Sequence, residues 1–172
     1  MERYIRRARV ADLEKITAVL ESGRRFLEEQ GLPQWQDGYG PGRVDAAADI
    51  KAGYGYVLMV SNAVAGYAAL IPEPDGSPPL SEGAYAGQYA RYIAIHRVAV
   101  DGALRGSGLS RQFLRDMVTA AGGLGYQDVR IDTHPGNVIM QRIIDRVGFS
   151  HRGTMHLPIP HGERLAYQVL LD

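Results

Sequence analysis

The sequence predicts a mixed α/β (α+β) fold, a sheet of about seven strands with helices on both faces. Three observations lead there. Helical and strand-like apolar periodicities alternate along the 172 residues, which calls for layers of both kinds. Two strand-like runs, YGYVLMV and AVAGYAALI, are separated only by Ser61-Asn62, the signature of a tight hairpin. Strand, helix and strand signals then follow in turn from residue 89 to 133, beside that hairpin, and the combination makes a mixed sheet.

Each element has its own signal. Tyr4-Ile5-Arg6 reads as a short first strand. Asp12 is placed as the N-cap of a first helix, in which Leu13, Ile16, Val19, Leu20 and Phe26 or Leu27 recur at helical spacing. Gly31 to Arg43 is rich in glycine and proline yet holds Trp35 and Tyr39, and reads as a loop before a short helix over 44–51. After the hairpin, PEPDGSPPLSEGAYAG (72–87) shows no periodicity and exceeds the usual connection length, the mark of a lid or a mobile loop. Tyr89 to Val100 is a long strand. From Leu109, the positions of Phe113, Met117, Ala120 or Ala121 and Leu124 trace a helix ending in a glycine cluster. Asp128 to Thr133 is a strand, and the helix after it is stopped by Gly148. Two last strands span 150–157 and 164–171, joined by PIPHGE. The order is β-α-α-β-β-β-α-β-α-β-β, without an internal repeat, and 1–172 reads as one domain.

Composition narrows the function. Basic and acidic residues balance at 19 each with no Lys/Arg-rich run, which argues against a nucleic-acid partner. The chain has no cysteine, so disulfides, thiolate nucleophiles and cysteine-based zinc sites are excluded together, and no metal is expected. No apolar run approaches the ~20 residues that span a bilayer. The N-terminal MERYIRRARVADLEK carries charges where a signal peptide needs an apolar centre. The expectation is a cytoplasmic domain without a membrane partner.

The most informative stretch is IHRVAVDGALRGSGLSRQFL (95–114), where a buried strand breaks into a small-residue loop and a helix begins at once. A Walker loop would need Gly-Lys-Ser/Thr, and no lysine is present; a dinucleotide fingerprint would need a third glycine where Arg111 stands. The physics common to both motifs remains. A helix start offers unpaired N–H groups and a partial positive charge, glycines let that backbone come close, and Arg105 adds a cation suited to phosphate. A plain strand-to-helix turn explains the same glycines equally well.

The surrounding residues decide between the two. V-A-V-x5-R-G-S-G-L-S resembles the acetyl-coenzyme A loop of the GNAT superfamily of N-acetyltransferases, with Arg105, Gly108 and Ser110 at matching positions. Downstream, RIDTHPGNVIMQRIIDRVGF resembles the family's next strand and helix, with Asn137 and the closing Gly148-Phe149, and GERLAYQVL its last strand. The likeness is most specific from about Tyr92 to Phe149. It implies a GNAT-like, mostly antiparallel twisted sheet and acetyl-CoA as cosubstrate. It further implies that the backbones of Val98, Ala99 and Val100 pair with the pantetheine. Arg105, Gly106, Ser107, Gly108, Leu109 and Ser110 would cradle the pyrophosphate, and Asn137 would hold the cofactor or nearby backbone.

Acetyl transfer to an amine needs an unprotonated nitrogen, whereas a lysine-like amine with a pKa near ~10.4 is mostly protonated at neutral pH. With no cysteine, direct attack in a ternary complex is expected rather than an acyl-enzyme. His96 is the candidate general base; regular strand alternation would put it on one face with Val98 and Val100, and imidazoles titrate near ~6.5. The family's usual acid, a tyrosine seven positions after the asparagine, is replaced by Ile144, which reads as core beside Met140, Ile143 and Val147. By resemblance the acceptor side draws on Trp35, Tyr39 and Glu163. The expected activity is an acyltransferase moving acetyl to a small-molecule or peptide amine, with that amine as partner and a homodimer as the assembly. The alternatives are a non-catalytic acyl-CoA-binding regulator and a structural domain whose glycine loop is only a turn.

Overall fold

Ten of the chain's buried apolar side chains fall on β-strand residues 55–60 and 93–100, and their alternation sets up two cores rather than one. The computed structural model describes Glu2–Asp172. Strands β1 (Arg3–Arg7), β2 (Gly55–Val60), β3 (Ala63–Pro72), β4 (Glu82–Gly83), β5 (Ile93–Val100), β6 (Asp128–Thr133), β7 (Ser150–His156) and β8 (Glu163–Leu170) form one sheet. Its order is β1-β2-β3-β5-β6-β8-β7-β4. Every pairing is antiparallel except β5 with β6.

Helices α1 (Leu13–Glu29) and α2 (Arg43–Ala52) cover one face, and α3 (Leu109–Gly123) and α4 (Val138–Val147) the other. All six residues of β2 are buried. Val57 and Met59 join Ile16, Val19 and Leu20 under α1, while Tyr56, Leu58 and Val60 join Phe113, Leu114 and Met117 under α3. That is the period-2 pattern of a strand covered on both sides. The hairpin β2–β3 closes as expected: Ser61 and Asn62 both have positive φ (48° and 65°), as a two-residue turn matched to strand twist requires. Among the described residues, no helix is long and apolar enough to cross a membrane.

The structure revises three of the expected elements. Asp12 is not a simple N-cap: its carboxylate accepts two bonds from Arg6 (2.8 and 2.9 Å) and one from the Arg9 amide (2.8 Å), tying β1 to the turn that precedes α1. The long strand begins at Ile93, not Tyr89, because its partner β3 ends at Pro72, opposite Ile93, and proline has no N–H to carry the ladder further. Residues 72–87 contain an eighth strand, β4, which pairs Glu82 and Gly83 with Thr154 and Gly153. It was hidden in the sequence because two residues carry no periodicity.

Ile144 is fully buried in the α3/α4 core, as its helical face predicts. A tyrosine there has neither space nor a route to solvent. Ile144→Tyr is expected to destabilise the fold by about 1–3 kcal/mol through overpacking, measured by urea unfolding. A variant as stable as the parent would show that the site has room for a phenol.

Candidate active site

Strands β5 and β6 run side by side only from Ile93↔Val129 to Ile95↔Ile131. Beyond that point β5 stays with β3 as far as Gly66↔Val100, and β6 stays with β8 as far as Thr133↔Leu165, so the sheet forks. The fork has a local cause. Between Ala69↔His96 and Tyr67↔Ala99, β5 holds one residue more than β3, a β-bulge, with Arg97 at φ 58°. Arg97 reaches across to the buried Asp49 (3.7 Å), whose carboxylate also accepts a 2.6 Å bond from Tyr67. Burial pushes the Asp49 carboxyl up, against the pull of Tyr67 and Arg97.

The bulge also interrupts the alternation. Ile93 and Ile95 lie in the α3/α4 core, and so do Val98 and Val100 after the extra residue. His96 therefore faces away from Val98 and Val100, which corrects the shared face expected from regular spacing. Its Nε2 lies 2.8 Å from Asp75 Oδ2. Asp75 is itself almost fully buried and accepts further bonds from Ser77 Oγ (2.7 Å) and Tyr92 Oη (2.8 Å). Burial is the largest single influence on this carboxyl and would raise it, yet the bonds from His96, Ser77 and Tyr92 together hold it well below the usual carboxylate range. Burial and the bond to Asp75 push the Tyr92 phenol up to about 12, which keeps it a donor. Because the ionised Asp75 can only accept, His96 presents Nε2–H to it and keeps the Nδ1 lone pair for a proton.

Loop 72–87, which delivers Asp75, is fastened rather than loose. The guanidinium of Arg130 stacks between the rings of Tyr85 (3.6 Å) and Tyr92 (3.9 Å), and it is held by Asp128 (2.8 Å). The Gln168 amide accepts from the Ala86 N–H (2.9 Å) and donates to its carbonyl (3.0 Å).

A cleft of about 970 Å³ runs through the fork. On one side it meets the turn before α3. Gly106 and Gly108 have φ of 79° and 78°, and a β-carbon on either would point into open space. The first amide in this turn that the helix itself satisfies is that of Gln112, donating to the Gly108 carbonyl (3.2 Å). The amides of residues 106–111 find no partner among the described residues, so they form a row of donors at a helix start, the arrangement that receives an anion. Arg105 serves this turn differently from the expectation. Its guanidinium folds onto α1, donating to the Ser22 carbonyl (2.7 Å) and lying 4.3 Å above the Phe26 ring, so it anchors the turn. Ser107 turns its hydroxyl back to the Leu104 carbonyl.

On the other side of the fork stand His96, Asp132 and Arg164, with Trp35 and Tyr39 contributed by the α1–α2 loop. Burial pushes the Asp132 carboxyl up, against the pull of His96 and Arg164. Asn137 fulfils its capping role, accepting from the Met140 amide (3.2 Å), and its Nδ2 donates to Gln34 of the α1–α2 loop (3.3 Å). Thr133, at the end of β6, carries the one fully buried side-chain polar atom without a partner among the described residues.

The structure thus brings His96, Val98, Ala99, Val100, Arg105, Gly106, Gly108, Leu109, Ser110, Asn137, Trp35 and Tyr39 to one cleft. It leaves Ser107 off the lining and Glu163 outside it, exposed opposite His156; the adjacent Arg164 takes the inward position. The sequence reading missed Asp75, Asp132 and Arg164. The only signal for Asp132 was a carboxylate inside an otherwise strand-like RIDT, and Asp75 had none.

Comparisons with known proteins give the family. A family model described as the acetyltransferase (GNAT) family matches residues 23–149. A GNAT-family acetyltransferase from Streptococcus agalactiae is 31% identical, with a TM-score of 0.87 over 99% of this chain and 96% of that one. The chain therefore belongs to the GNAT acetyltransferase family. A Listeria monocytogenes GNAT-family acetyltransferase shares the fold at 23% identity and TM-score 0.75 (99% and 96% covered). So does the Salmonella typhimurium protein yncA, solved with its cofactor acetyl-CoA, at 20% identity and TM-score 0.68 (99% and 94% covered). No curated protein matches the chain.

Asp75 also links the site to stability. Its carboxyl is held low in the folded state, so its contribution is fully present above the unfolded value near ~3.9 and is lost as pH falls below it. Asp75→Asn is expected to lower stability at pH 7, and the gap to the parent should begin to narrow below about pH 4 and shrink further as pH falls toward the depressed folded value. Urea midpoints across that range check it, and a gap constant with pH would refute the ionised Asp75.

Proposed function

We propose that the chain is an acetyl-CoA-dependent N-acetyltransferase that acts by direct attack of an amine, with His96 as general base. The observation that carries this reading is the fork: a row of unpaired amides on one side and an imidazole fixed by a buried carboxylate on the other. The residues present fit the coenzyme. The amides of residues 106–111 would receive its pyrophosphate, and the edge of β5 from Val98 to Val100, which no strand pairs with on the β6 side, would meet the pantetheine. The orphaned Thr133 hydroxyl would gain a partner at the fork. When bound, acetyl-CoA supplies the activated acetyl group and a thiol leaving group.

The chain's own residues supply the rest. His96 Nδ1 takes the proton from the acceptor nitrogen, and Asp75 holds the ring in the tautomer that leaves Nδ1 free and stabilises the imidazolium that results. Trp35 and Tyr39 would shape the acceptor's entrance, and Asn137 fixes that loop against α4. No phenol stands at Ile144 to protonate the departing thiol, and a thiol with a cysteine-like pKa near ~8.5 needs protonation less than an alkoxide would. The same residue favours one other reading, an acyl-CoA-binding regulator without turnover. Thiol release over a panel of amines separates the two.

Two variants test the parts. Gly108→Val forces a branched side chain into a φ of 78° and so distorts the turn, and acetyl-CoA should no longer raise the melting temperature, whereas it does so for the parent. An undiminished shift would contradict the backbone cradle. His96→Ala should reduce kcat/KM by roughly 10²–10⁴-fold and flatten its fall toward acid pH. A variant that keeps the parent's pH profile would remove His96 from the mechanism.

A further inference from the structure

Arg164 lies on β8 with its side chain only 6% exposed, lining the acceptor side of the cleft. A guanidinium offers five N–H donors. Nη1 donates to the carbonyls of His161 (2.9 Å) and Glu163 (2.8 Å). Nε and Nη2 have no hydrogen-bond partner among the described residues. Neither is sealed from solvent, since the one fully buried orphan is Thr133 Oγ1, and Arg164 lines the cleft. The nearest carboxylate oxygen, Asp132 Oδ1, is 3.8 Å from Nε, beyond hydrogen-bond reach. Burial moreover favours the neutral form of that carboxyl.

Buried cations are ordinarily paired and fully hydrogen-bonded, because leaving water is costly for them. Arg130, by comparison, has Asp128 at 2.8 Å and two aromatic rings. Arg164 has only a long ion pair with Asp132, 3.8 Å at Nε and too far for a hydrogen bond, and it lines the cleft an acceptor must enter. The register explains its place. Asp132 lies opposite Ala166, two residues from Arg164, so both side chains emerge on the face that carries His96, with Asp132 between them. A ligand that gives its nitrogen to His96 therefore has a fork-shaped cation on the same face of the cleft.

We infer that Arg164 is a carboxylate receptor, and that the acceptor amine bears a carboxylate a few bonds from its nitrogen, as an amino acid does. This rests on the acetyl-transfer reading above. A planar guanidinium with Nε and Nη2 both free matches the two oxygens of a carboxylate.

The test sets each free amino acid against its own carboxamide, which keeps nitrogen and side chain but removes the negative charge and with it lowers the amine's own pKa, so rates are compared per unprotonated amine. Thiol release is followed with acetyl-CoA, alongside simple amines that lack a carboxylate. The parent should prefer an acid over its amide by at least about tenfold in kcat/KM, mainly through KM. Arg164→Gln should bring that ratio near one by weakening the acid alone, and the amino acid should no longer raise its melting temperature in the presence of CoA. Equal use of acid and amide by the parent overturns the inference while leaving acetyl transfer standing, and needs no variant to fold. Turnover of simple amines only does the same. No turnover of any amine, with coenzyme bound, overturns both.

Discussion

One residue too many in β5 is the constraint on which the rest of this site depends. The extra residue at Arg97 turns a strand that would otherwise continue beside β6, and the parting of the two strands is the cleft. A non-glycine residue in the left-handed region costs free energy and persists only where its surroundings hold it. Here the surroundings are Asp49 and Tyr67, from α2 and β3, which receive the Arg97 side chain on the face away from α3 and α4. The distortion that opens the sheet and the helix pair that covers it are therefore one arrangement.

The two carboxyls facing the fork are driven in opposite directions by their neighbours. Both are buried and both feel His96. Asp75 receives donors from His96, Ser77 and Tyr92, and their sum overcomes the cost of burial. Asp132 has only a distant guanidinium, and burial wins. The first is held as an anion that fixes a ring; the second is pushed toward its neutral form by burial. They differ in hydrogen-bond count.

The parts of the molecule legible in its sequence were those with a local signal. Apolar periodicity gave the element order, Ser61-Asn62 the hairpin, and Gly106 to Ser110 the turn before α3, because each is written in adjacent residues. The bulge was not legible, since VAV alternates regularly on paper and its cause, Asp49, lies far along the chain. Asp75 sits in a stretch of glycines and prolines without period, and long-range contacts, β4 with β7, Tyr85 and Ala86 with Arg130 and Gln168, and Tyr92 with Asp75 itself, carry it to His96. Arg164 was passed over for Glu163 because a strand's facing cannot be fixed to one residue when its first residue is uncertain. Arg105 was read as a ligand for phosphate from its charge, whereas its partners, Ser22 and Phe26, are set by tertiary packing.

With Arg105 occupied on α1, the row of amides before α3 is made of main chain and two glycines, and the side chains between them are nearly idle. Such a surface places little demand on which residues build it. Leu109 fills the core, Ser107 turns its hydroxyl to the Leu104 carbonyl, and Ser110 and Arg111 line the cleft beside the amides. A recognition element of this kind can drift through sequence space while its function is inherited intact. A relative that overlays this chain from end to end at 31% identity fits that freedom.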